Sequence, residues 1–295
     1  MPSTVPSDSL VRALDAAIAG RRDALFDLLA RGSHLPGTRM NATLAEAFAH
    51  ACRTRGAPAD PVALALARLS ANEAPGATAL EFLPVCGVFA LGARAATDET
   101  VRARFVAELH AHADDLRFRP REAVVLSLSR IGHAAGESLV TDVASWMDGY
   151  FHAAAVVLAL ALDPWLGSLH DSKPVVARFD EAFALLRAAP RSAARWPGHK
   201  ELLLALERAT PSIALRFGVA VFDMLERWTA SSDPTLRESI ATMIFSEKLA
   251  GRHASDLDRV RRALDATRPA PRNPDHDVGP TRDRSRNRRR GGRSH

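Results

Sequence analysis

Two short clusters in this chain carry side chains that could do chemistry. The first is His110, His112, Asp114 and Asp115, residue types that suit a metal ion. The stretch reads as helix, and residues i and i+2 of a helix point to different faces, so His110 and His112 do not share one ion. His110 and Asp114 do share a face, but a metal needs three or four ligands and no third lies nearby in sequence. These histidines are expected at the surface or the core edge, with no metal. The second cluster is Trp146, Asp148 and His152, with Trp165 downstream. Asp148 and His152 would meet if a helix ran on through Gly149, and a carboxylate that orients a histidine is one part of a general-base site. No nucleophile elbow accompanies them, and tryptophan between helices normally serves packing. No glycine-rich loop of the Walker or Rossmann type is present. On these grounds no catalytic, cofactor-binding or metal-binding residue is assigned.

The elements that must position these side chains read as helices throughout. No run alternates with period two in Val, Ile, Thr and aromatics, so no strand is expected. Ser7-Asp8-Ser9 offers N-caps for a first helix with Leu10, Val11, Leu14 and Ile18 on one face, closed by Gly20. A second helix spans about 21–30. Asn41 caps a third, and Pro61 sits at the start of a fourth. The apolar stretch 78–96 contains Pro84, which should kink or split it. Asp98 opens a helix to about 115, and 115–132 holds the next. Gly136 and Gly149 bracket a further helix, followed by an apolar one over 150–162. Asp163-Pro164, Lys173-Pro174, Thr210-Pro211 and Asp233-Pro234 each mark a helix start, and Ser255 caps the last helix. About fourteen helices with short connections leave a bundle or a repeat stack.

The stretch 115–132 decides between those two. It resembles the second helix of a HEAT-type repeat, in which an Asp-containing turn leads into Arg-Glu-Ala, an apolar run and a closing Ile-Gly. Asp115, Arg121, Glu122, Ala123, Leu128, Arg130, Ile131 and Gly132 carry the resemblance. Related turn-helix pieces are Asp98 with Arg102 and Asp233 with Arg237. The resemblance covers about 97–165 and 210–250 best. It implies an all-α fold, an irregular superhelix of about seven helix pairs over 8–267, and a ladder in which the turn aspartates (Asp98, Asp115, Asp233) and helix arginines (Arg102, Arg121, Arg237) join neighbouring units. A compact irregular bundle is the alternative.

Charge separates the body from the tail. The chain carries a net +5, yet 268–295 holds nine Arg against three Asp, a local +6, which leaves −1 for 1–267. The basicity therefore lies in the tail, whose composition is that of a disordered segment, as is expected of 1–7 also. Arg284, Arg286, Arg288, Arg289, Arg290 and Arg293 look like a short RGG-style nucleic-acid or acidic-partner contact, and Arg117 and Arg119 are a second basic pair. Arg outnumbers Lys by 36 to three, so coding bias accounts for part of this excess. Cys52 and Cys86 are too few for a disulfide framework and read as reduced core thiols of a cytoplasmic protein. No signal peptide is indicated, and the apolar run 153–162 is about half the ~20 residues a membrane span needs.

A near-neutral stack of helix pairs predicts a surface rather than a reaction chamber. The expected function is non-catalytic binding of another protein, as an adaptor or scaffold, without cofactor or membrane. Nucleic-acid binding through the tail is the second expectation. An enzyme on a HEAT-like frame, such as a glycosylase for alkylated bases, or a bilin-lyase-like chromophore chaperone, is the third and rests on fold analogy. Such glycosylases hold the lesion with Trp and an acidic residue in a basic groove. The neutral body argues against one, because duplex binding draws on phosphate neutralisation.

Overall fold

A computed structural model describes residues 6–267; residues 1–5 and 268–295, with the six tail arginines, lie outside the described residues. Sixteen α-helices and four short 3-10 segments make up the described chain, with no strand among the described residues. The helices are α1 (Asp8–Ile18), α2 (Asp23–Gly32), α3 (Ala42–Arg55), α4 (Asp60–Ala67), α5 (Phe82–Thr97), α6 (Glu99–Ala113), α7 (Phe118–Ala135) and α8 (Glu137–Asp142). They continue as α9 (Tyr150–Leu160), α10 (Trp165–Ser168), α11 (Ser172–Arg187), α12 (Pro197–Phe217), α13 (Val219–Trp228), α14 (Pro234–Ile244), α15 (Glu247–Ala250) and α16 (Ala254–Ala266).

Side-chain caps fix several starts as the sequence requires. Ser7 accepts from the Leu10 amide, Asn41 from Leu44, Asp98 from Thr100 and Asp233 from Thr235. Each satisfies one of the amides a first helical turn leaves without a partner. Pro84 falls in the first turn of α5, where a missing N–H costs nothing, and a 3-10 turn over Ala79–Glu81 precedes it. Thr210-Pro211 does not start a helix. α12 runs through Pro211 and stops at Gly218, whose φ of +51° is left-handed. Burial of Thr210, Ile213 and Ala214 holds the proline-containing turn in place, and glycine ends the helix because it alone adopts that φ without strain. The helix that starts at Pro234 as expected ends at Ile244, and a short α15 follows Phe245 and Ser246.

Packing is ordered along the chain. One series runs α3, α5, α7, α9, α12, α14 and α16, each helix in contact with the next. The others lie beside it: α4 on α5, α6 on α5 and α7, α8 on α7 and α11, α11 on α9, and α13 on α12 and α16. The most deeply enclosed helix is α5, buried at every position from Phe82 to Ala95. The stretch Ala79–Thr97 is long and apolar enough to cross a membrane by composition, with 83% of its window buried in the fold. An all-round apolar helix is what a core centre demands. Gly87 and Gly92 let neighbours approach closely. A Cβ at 87 would stand 2.2 Å from the Ala67 amide nitrogen of α4, and one at 92 would stand 2.5 Å from Ser127 Cβ of α7. Ser127 donates its hydroxyl to the Val88 carbonyl across that contact, at 3.1 Å.

One charge sits inside this apolar helix. Arg94 is 5% exposed and donates to Asp60 of α4 at 2.8 Å and to Asp98 at 3.1 Å. Cys52 and Cys86 are free and buried, and burial pushes both thiols up.

Candidate functional site

The expected aspartate–arginine ladder has other partners than its members. The Asp98 carboxylate meets Arg94 and Thr100, and Asp115 pairs with Arg117 at 2.6 Å. Asp233 caps Thr235. The three arginines nonetheless do one job. Arg102 donates to the Ala95 carbonyl, Arg121 to Asp115 and Arg117 carbonyls, and Arg237 to the Thr229 carbonyl. Each reaches back to the end of the preceding helix, or to the turn that follows it, where carbonyls lack amide partners. Arg237 also donates to the Leu264 carbonyl and so ties α14 to α16. Arg216 does the same for Leu169, at 2.6 Å.

Arg117 and Arg119 are occupied within the fold. Arg117 is buried and donates to the carbonyls of Leu69, Ser70 and Ala74, pinning the loop after α4. Arg119 donates to the Gly37 carbonyl, and Arg130 pairs with Glu46. These guanidinium groups are thus tied to internal carbonyls and carboxylates rather than presented as a row for phosphates.

The helix series leaves a groove where α9 lies between α7 and α12. Its cavity is about 240 Å³ and is lined by Phe118, Val125 and Leu126 of α7, Phe151, Ala154, Ala155 and Leu158 of α9, and Glu201 and Arg208 of α12. The floor is low because alanines stand at 154 and 155. The walls rise because Phe118, Glu122 and Leu126 recur at i, i+4 on one face of α7, and Leu204 lies between Glu201 and Arg208 on one face of α12. Phe118, Leu126 and Leu204 are large apolar residues exposed at 57%, 40% and 44%. Arg121 holds its guanidinium 4.4 Å from the Phe151 ring centroid, and the missing Cβ of Gly198 admits that ring against the start of α12.

The two chemical clusters of the sequence become one. His110 comes from the last turn of α6, Asp148 from the end of the 3-10 segment Val143–Asp148, and His152 from the first turn of α9. His110 Nε2 lies 3.2 Å from Asp148 Oδ1, and His152 Nδ1 lies 2.8 Å from the same oxygen. The imidazoles stack with centroids 3.8 Å apart, and Trp146 meets His110 edge-on at 5.0 Å. The helix does not run through Gly149, which is extended with φ −152° and ψ 152°. The Asp148–His152 contact forms across that break. Hydrogen bonds from the two imidazoles hold the Asp148 carboxyl below its ordinary range, against the opposing effect of partial burial. His112 turns the other way, into the core beside Glu108 at 3.5 Å, and burial lowers its pKa. The opposed faces of His110 and His112 are as the sequence requires, whereas Asp148 and His152 reach His110 from 38 and 42 positions away and only folding could bring them there. Trp165 is a packing residue: it is fully buried against Gly132 and donates its indole N–H to the Gly136 carbonyl at 3.3 Å.

The chain matches no family model and no curated protein.

Proposed function

We propose that this chain is a HEAT-like stack of helix pairs that binds a segment of another protein in the groove of α7, α9 and α12, without catalysing a reaction. The observation that carries the reading is the groove itself: an alanine floor, exposed Phe118 and Leu126 in its wall with exposed Leu204 beside it on α12, and Glu122, Glu201, Arg121 and Arg208 at its edges. Contiguous exposed apolar surface framed by charge marks an interaction site. An amphipathic helix laid on such a groove buries its apolar stripe against Phe118, Leu126, Leu158 and Leu204, and its polar face remains in water. The repeat reading is supported by the ordered helix series and by Arg102, Arg121 and Arg237 acting alike on preceding helix ends. In such arrays each unit leans on its neighbours and presents an extended surface.

The test is a peptide-display selection against the full chain. Enriched peptides should carry apolar residues at i, i+3 or i+4, and i+7, and should be displaced from the protein by one another. Enrichment of lysine- and arginine-rich peptides without apolar anchors, or retention of single-stranded nucleic acid in place of peptides, would overturn the groove reading.

A further inference from the structure

We propose that His110, Asp148 and His152 form a binding site for a divalent first-row transition ion of the zinc class, with a coordination position left open to the adjoining cavity. One nitrogen from each imidazole and one carboxylate oxygen lie within 4.8 Å of one another. Ligands bound at about 2.0–2.2 Å around a tetrahedral ion stand roughly 3.3–3.6 Å apart, so small side-chain rotations suffice. Two histidines and a carboxylate are a donor set that zinc and its neighbours favour, and three protein ligands rather than four leave room for water or another external ligand.

Three features set this cluster apart from a chance surface contact. The ligands come from three separate elements, and each is held by its own backbone rather than by a mobile loop. Gly149 makes room, since a Cβ there would stand 2.8 Å from His152 Nδ1, the proposed ligand atom. Trp146, 2% exposed, walls the site on one side and meets both imidazoles edge-on. The remaining side opens onto a cavity of about 710 Å³ lined by Glu99, Arg102, Asp142, Ser145 and Trp146 as well as His110 and Asp148. The donor atoms already converge: His110 Nε2 and His152 Nδ1 lie 3.2 and 2.8 Å from the same Asp148 oxygen, and imidazole nitrogens and a carboxylate oxygen can each offer a lone pair to a dication.

The experiment uses the full chain, freed of metal with a chelator and titrated with Zn2+ by calorimetry, then with Co2+ by visible absorption. One equivalent should bind with a Kd below about 10 μM, and Zn2+ at a hundredfold excess over Kd should raise the melting temperature. Asp148→Asn keeps the hydrogen-bond shape and removes the charge, and it should weaken binding at least tenfold. His110→Ala and His152→Ala should abolish the Co2+ ligand-field bands, whereas His133→Ala, an exposed histidine elsewhere on α7, should change nothing. Circular dichroism of each variant separates lost binding from lost fold. Equal Zn2+ affinity in wild type and Asp148→Asn, or Co2+ bands that survive the double histidine variant, would overturn the site.

Discussion

Arg94 is a guanidinium inside the most apolar helix of the chain, and its charge persists there because Asp60 and Asp98 both face it. Asp60→Ala leaves that charge half met in a site 5% exposed. Breaking a buried pair from one side costs about 3–5 kcal/mol, and Asp98 should hold the loss to the low end. Urea unfolding of Asp60→Ala against Asp60→Asn measures it. Histidines set the acid response. Burial lowers the pKa of His112 and of His199 from the ordinary value of about 6.5. A depressed histidine binds protons in the unfolded state before the folded state does. Its contribution to stability is therefore complete above pH 6.5 and declines as pH falls towards the folded pKa. Unfolding free energy should fall as pH drops below about 6.5, by at most about 1.4 kcal/mol per pH unit per histidine, and less steeply in His112→Gln. Sequence alone showed that His110 and His112 diverge. It did not reveal that His110 meets Asp148 and His152, because these stand far apart in sequence and only the packing of α6 on α9 joins them.

At the scale of elements most caps were legible, as were Pro61 and Pro234 at helix starts, whereas Ser255 lies inside α16 rather than capping it and Pro211 lies inside α12. Ser7, Asn41, Asp98 and Asp233 start their helices as their side chains dictate. Pro211 does not, because a proline's local cost of about 3 kcal/mol can be outweighed by burial on both sides, a term invisible in a local pattern. The central place of α5 was also missed. Its sequence has little helical periodicity because every face is buried, so the amphipathic signal on which helix assignment relies is absent. Close approach is the other device of these elements. A Cβ at Gly132 would stand 2.0 Å from Trp165 Cδ2. Gly132→Ala should therefore destabilise the chain by about 1–3 kcal/mol or more, by overpacking between α7 and α10. Trp165→Phe should relieve part of that loss in the double variant, a coupling that additivity would not give. Thermal melts of the four species decide.

The whole molecule joins a nearly neutral body, whose arginines tie helix ends together, to a groove with exposed Phe118 and Leu126 in its wall and Leu204 beside it. The all-helical class follows from composition and periodicity. The groove does not, because Phe118, Leu126, Phe151 and Leu204 belong to three helices and each reads locally as core. Solvent exposure of three of them appears only when α9 presents alanines between α7 and α12. Leu126 and Leu204 are exposed enough to take an aspartate without loss of fold. The decisive measurement is the affinity of a display-selected amphipathic peptide for wild type, Leu126→Asp and Leu204→Asp, by fluorescence anisotropy at fixed salt. A groove that buries the peptide's apolar stripe predicts at least tenfold weaker binding for each variant, with melting temperatures unchanged. Equal affinity across the three would contradict a binding role for this surface.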